Sequence, residues 1–223
     1  MQALLQFPRL CYATALSGGT PVRASLRLMA AGVVGAACWG AAMGIHVGGV
    51  HLLLTALKMP LFFAATLALC FALMHVLALA GGVRARPAQT LQVALSGLSV
   101  TSTVLGAFSP VLALFAACAP IPSNASYVNL YVFCTACGAA AGLAGARHLA
   151  MGLRALHGST PRAVLAGWLL IYQFTGAQMA WVLRPWIGSS YGVEGYYSLS
   201  RGLTGNFYVG VGRVLLRWMQ QWT

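Results

Sequence analysis

The chain has 223 residues, of which 60% are hydrophobic and only 6% are charged, whereas an ordinary soluble domain carries about 25% charged residues. This composition excludes a typical soluble domain and indicates a protein embedded in a membrane. Thirteen basic residues face a single acid, and they are scattered among apolar runs without the basic, aromatic-lined stripe of a nucleic-acid-binding surface, so nucleic acid is excluded as a partner.

Five apolar runs are long enough to cross a bilayer, which requires about 20 residues. They predict membrane spans at residues 28–50, 61–79, 91–117, 130–149 and 163–183. Residues 1–27 have the pattern of an interfacial N-terminal segment, and residues 184–223 that of an outer-face loop followed by an amphipathic helix. The predicted fold is therefore all-α, an integral membrane bundle of five transmembrane helices over residues 28–183 with an amphipathic segment at each end.

Basic residues predict how the bundle is oriented. Arginines concentrate in the N-terminal segment and around the connections at residues 80–89 and 152–162, all on one side of the membrane. By the positive-inside rule that side is cytoplasmic. The N-terminus is thus predicted to be cytoplasmic and the C-terminus to lie on the opposite side.

The C-terminal region carries the pattern of an interfacial anchor. Apolar residues recur at helical spacing between residues 207 and 222, with arginines and glutamines on the other face. The residues predicted to anchor at the interface are Trp181, Trp186, Arg213, Arg217, Trp218 and Trp222. A helix docked on a partner protein is the alternative for this segment.

Small residues predict how the spans pack. In the first span they recur every fourth residue, at Gly32, Ala36, Gly40, Gly44 and Gly48, and in the fourth at Cys134, Gly138, Gly142 and Ala146. Such ridges allow helices to approach closely in lipid, where van der Waals contact replaces the hydrophobic effect. We expect both ridges to pack against neighbouring helices.

Most enzyme chemistry is absent from the sequence. There is no Asp and one Glu, so neither a carboxylate pair nor a Ser-His-Asp triad can be assembled. The sequence predicts a protein that is not an enzyme and has no cofactor. A haem- or pigment-binding subunit is the alternative, with His75 and His148 as ligands near the same end of their spans.

The strongest polar constellation is predicted at the outer face. Lys58 opens the second predicted span, Arg184 follows the fifth, and Glu194 and Gln178 lie close in sequence to Arg184. Together they would contact an anionic lipid, a metabolite or a carboxylate of a partner. The simpler interpretation is that both cations extend to the interface and that Glu194 neutralises one of them.

Three segments carry a resemblance to a known family. "WGAAMG" (39–44) with "ALKMPLFF" (56–63), and "GAQMAWVLRPWIG" (176–188) followed by "NFY" (206–208), resemble a family of multi-pass bacterial inner-membrane proteins that is remotely similar to Yip1-domain proteins. The resemblance implies an inner-membrane protein without catalytic residues, linked to membrane organisation or complex assembly.

These observations favour an accessory or scaffold subunit that contacts membrane lipids and other membrane protein subunits. A transporter or binding protein for an anionic or lipid-like solute is the rival hypothesis.

Overall fold

The computed structural model describes residues 22–118, 124–159, 161–183 and 207–220, which form helices and turns without a β-strand. The helices are α1 (Val22–Gly44), α2 (Val50–Ala80), α3 (Pro87–Cys118), α4 (Asn124–His157), α5 (Arg162–Val182) and α6 (Phe207–Gln220). The prediction of an all-α fold is confirmed for this part of the chain.

Four of these helices are long and apolar enough to cross a membrane, namely α1, α2, α3 and α4. Their length and composition support a multi-pass protein embedded in a membrane. The helix α5 has 21 residues but is not among the four, because Gln173, Thr175 and Gln178 lower its hydropathy. The fifth predicted span is therefore present as a helix, while its passage through the membrane stays a prediction.

The first connection lies earlier in the chain than the sequence predicts. Gly48 and Gly49 follow α1 and have φ angles of 75° and 56°, a left-handed conformation that glycine adopts without strain and that favours the end of a helix. Because α2 begins at Val50, the residues between the first two predicted spans lie inside α2, with Lys58 in its interior. Hydropathy missed the turn because apolar residues continue through it.

Other boundaries also differ from the predicted ones. The helix α1 begins within the segment predicted as interfacial (1–27), and residues 1–21 of that segment lie outside the described residues. The helix α4 extends beyond its predicted span at both ends.

Helix α1 occupies the centre of the arrangement. It packs extensively on α2 and on α3, while α3 packs on α4 and α2 packs on α5. Gly32 lies against Ser99 and Gly35 against Ser102, so α1 and α3 run parallel. The neighbour order α4–α3–α1–α2–α5 leaves α4 and α5 at the ends, with only a small contact between them.

Two apolar clusters form the core. One joins α1, α2, α3 and α4 around Trp39 and Leu112, and the other joins α2, α3, α4 and α5 around Met74 and Trp168. Trp168 is fully buried, and its indole Nε1–H donates to the carbonyl oxygen of Met74 at 2.8 Å. That bond satisfies the polar edge of the ring and connects α5 to α2.

Candidate functional site

The small-residue ridge of α1 forms the closest helix contacts. A methyl group at Gly40 would collide with the backbone carbonyl of Thr55 on α2, and one at Gly44 would collide with the backbone of Leu52. These glycines therefore allow α1 and α2 to touch along their backbones. Gly48 lies beyond the end of α1 at Gly44, in the connection to α2, and its packing role stays a prediction.

The middle of the α4 ridge, at Gly138 and Gly142, makes no close contact with the described helices. A methyl group at Gly138 or at Gly142 would have no atom within 4 Å among the described residues. The residues of α4 that face inward are Cys137 and Ala141, which are buried, and Gly145, which lies against Gly97 of α3. The packing role predicted for Gly138 and Gly142 is not met by the described helices and stays a prediction, since the inward face is displaced by one residue, about 100° around the helix.

We call the outward surface formed by Ala136, Gly138, Ala139, Ala140, Gly142 and Leu143 the open face of α4. Leu143 is 74% exposed there, between small residues that leave the helix backbone accessible. The exposed side of α2 is built differently, because Leu57, Leu69 and Leu73 stand out from it as large apolar side chains. Large side chains suit contact with lipid, whereas small ones are typical of helix–helix interfaces in membranes.

One end of this surface carries a basic side chain. Arg147 follows Leu143 by one helical turn and is exposed, so it lies on the same side of α4. The open face of α4 is therefore an apolar, small-residue surface with one positive charge at the end that is predicted to be cytoplasmic.

Lys58 lies just beyond the level at which α5 ends. A methyl group at Gly176 would lie 3.6 Å from Thr66 Cγ2, and the Trp168–Met74 bond shows that α2 and α5 run antiparallel. Lys58 is about 12 Å along α2 from Thr66, whereas Gly176 is about 9 Å from the end of α5 at Val182, so Lys58 lies about 3 Å beyond that end. The Lys58 side chain is half-buried there.

Of the other residues predicted to form the outer constellation, only some are among the described residues. Gln178 is half-buried on α5. Arg184 and Glu194 lie outside the described residues, as do the predicted anchors Trp186 and Trp222. The structure therefore places Lys58 where the chain leaves α5. A joint anion-binding site with Arg184 and Glu194 stays a prediction.

The C-terminal helix packs on the chain itself. Helix α6 contacts α4 and α5, and a methyl group at Gly210 would collide with the Trp181 indole. Its outer side exposes Arg213 and the apolar residues Leu215, Leu216 and Met219. The side chains of Arg217 and Trp218 lie outside the description. Trp181 thus serves as a contact for α6.

The two histidines considered as haem ligands lie on different helices. His75 Nδ1 is 3.0 Å from Thr90 Oγ1, and its ring stacks on Phe71. His148 is half-buried on α4, which packs mainly on α3 rather than on α2. Among the residues that the structure describes, no three His, Cys, Asp or Glu side chains form a group that could hold a metal ion.

Sequence reasoning missed the inward role of Gly145 and the outward position of Ala139. Small residues occur on nearly every side of α4 between Ala136 and Ala146, so spacing alone did not distinguish the inner face from the outer one. The lack of any large outward residue except Leu143 in this stretch was the available signal.

Comparisons with family models, with curated proteins and with solved structures find no match to the chain. The resemblance to Yip1-like proteins therefore stays a prediction.

Proposed function

We propose that the chain is a non-enzymatic accessory subunit that binds a transmembrane helix of another protein through the open face of α4. The observation that carries this proposal is the open space at Gly138 and Gly142, on a helix whose opposite face is packed against α3. A partner helix can approach the α4 backbone closely there and gain dispersion contacts that bulkier residues would prevent.

Charge selects the kind of partner. Arg147 ends the open face, and the chain contains one acidic residue against thirteen basic ones. A second copy placed in parallel on the same face would bring two Arg147 side chains together, which is unfavourable. We therefore infer a partner with a different sequence whose helix carries an acidic residue at the level of Arg147.

The proposal also covers where the protein resides and how it is oriented. The protein resides in a bacterial inner membrane with α5 as a fifth span, a cytoplasmic N-terminus and the C-terminus on the opposite side. There it contributes packing surface, as the resemblance to Yip1-like proteins of complex assembly implies. The arginines around residues 80–89 and 152–162 support this orientation.

Ala139→Leu tests the proposal. Leucine at this exposed position blocks the close approach of a partner helix without entering the bundle. We expect native mass spectrometry of the protein extracted from its own membrane in mild detergent to show a stoichiometric complex, reduced at least tenfold by Ala139→Leu.

Ala166→Leu is the matched control, because Ala166 is also exposed but lies on α5. It should leave the complex intact. Recovery of the wild-type chain only at its own mass of 23.3 kDa, or equal loss of the complex in both variants, would contradict the proposal.

A further inference from the structure

A cavity lies between α1, α2 and α3, separate from the open face of α4. Its volume is about 380 Å³, within the range of small-molecule sites, about 300–1,000 Å³. Apolar side chains line nearly all of it, and the exceptions are the hydroxyls of Ser99 and Ser102.

Small residues create this space. Helix α1 packs closely on both α2 and α3, whereas α2 and α3 touch each other much less. The walls that face the resulting gap carry Gly32 on α1 and Ala64 and Ala68 on α2. Larger residues at these positions would fill the gap, so the cavity is a consequence of the sequence of α1 and α2.

The cavity opens sideways. Met29 and Val33 at its edge on α1 are 44% and 52% exposed, and Ala64 and Ala68 at its edge on α2 are exposed as well. Both helices are apolar enough to cross a membrane. Val33 is about 16 Å from the end of α1, near the middle of a hydrocarbon core about 30 Å thick. The opening therefore faces the acyl region of a bilayer.

Its length fits one leaflet. On α2 the lining runs from Pro60 to Phe71, about 16 Å along the helix. This is roughly half of the 30 Å hydrocarbon thickness, which is the depth that the chains of one leaflet fill. A single acyl chain therefore matches both the shape and the chemistry of the cavity.

Cations lie beyond one end of the cavity. Leu91 lines it on α3 and is about 7 Å along the chain from Arg86, which is exposed beside the start of α3 together with Arg84. Basic residues at this level bind the phosphates of anionic lipids.

We propose that the α1–α2–α3 cavity binds one anionic phospholipid, with an acyl chain between Gly32, Ala64 and Ala68 and its phosphate at Arg84 and Arg86. Lys58 and Gln178, which the sequence analysis singled out for a lipid-like solute, do not line this cavity. The site is therefore distinct from the predicted outer constellation.

Filling the cavity tests the acyl-chain contact. Delipidated protein in detergent is titrated with palmitoyl-oleoyl-phosphatidylglycerol and examined by native mass spectrometry. We expect one retained lipid per chain, and Ala68→Phe should lower the bound fraction at least tenfold at the concentration that half-saturates the wild type. Ala166→Phe, at an exposed position on α5, should bind as the wild type does.

Folding of each variant is verified by its circular dichroism and melting temperature. Ala64→Leu narrows the same cavity with a smaller side chain and keeps the test valid if Ala68→Phe does not fold. Equal binding by cavity variants and control, or no retained phosphatidylglycerol in the wild type, would overturn the proposal.

A second pair of matched variants tests the headgroup contact. Arg86→Gln should weaken phosphatidylglycerol binding at least threefold, while Arg162→Gln, exposed at the same end of the bundle, should not change it. Inorganic phosphate should not compete, because it lacks the acyl chain. Competition by phosphate, or equal effects of the two arginine variants, would overturn the assignment of the lipid.

Discussion

The ridge of α1 and the open face of α4 consist of similar small residues in opposite surroundings. On α1, Gly32 lies against Ser99 of α3 and Gly40 against the backbone of α2, so the ridge is enclosed on two sides. On α4, Gly138 and Gly142 have open space beside them. The difference shows that small-residue spacing measures the capacity of a helix for close approach and does not identify what approaches it.

The largest expected effect is at Gly35, which lies beside the enclosed ridge of α1. In Gly35→Ala the new methyl group would meet the carbonyl of Ser102, and α3 backbone cannot yield as a side chain can. We expect a loss of about 3 kcal/mol in the free energy of unfolding, measured by denaturant titration in mixed micelles. A variant as stable as the wild type would show that α1 and α3 are further apart than described.

An intermediate effect is expected on the inner face of α4. Gly145→Ala would place a methyl group against the Thr101 hydroxyl and 2.9 Å from the Gly97 carbonyl oxygen. Because the Thr101 side chain can partly move, we expect a loss of about 1.5 kcal/mol in unfolding free energy. Adding Thr101→Ala should recover part of the loss, since the two residues are in contact. If the changes in unfolding free energy caused by the two substitutions were strictly additive, that contact would be excluded.

The smallest effect, with the opposite sign, is expected on the open face. Gly142→Ala meets no neighbouring atom among the described residues and replaces a poor helix former, so the isolated chain should gain about 0.5–1 kcal/mol in unfolding free energy. A loss of stability would place Gly142 in contact with another part of the chain. Comparison with Gly145→Ala separates the two faces of one helix with the same substitution.

Much of the fold was accessible from the sequence, because apolar run length is a strong constraint in a membrane. The centres of α2, α3, α4 and α5 lie within their predicted spans. The failure was local: the run at residues 28–50 crosses a turn that contains Gly48 and Gly49, and hydropathy does not register a reversal of the chain. Lys58 was consequently predicted at the start of a helix and lies inside it.

Less of the candidate site could be predicted from the sequence. The sequence predicted that Gly138 and Gly142 pack against a neighbouring helix without indicating which one, and it contained no signal for the cavity beside Ala64 and Ala68. Both features depend on the angle at which a helix is rotated about its axis. That angle is decided by the sum of all contacts of the helix rather than by the spacing of any one residue type.

By itself, the sequence determined that this protein is helical, apolar and strongly basic, because these properties follow from composition and run length. It also determined that paired-carboxylate chemistry cannot arise within the chain, which has one acid. Only the tertiary structure decided that α1 is central, that Gly138 and Gly142 of α4 lie beside open space, and that α2 and α3 leave a cavity between them. These outcomes depend on which backbones meet, and that is settled by the packing of distant segments.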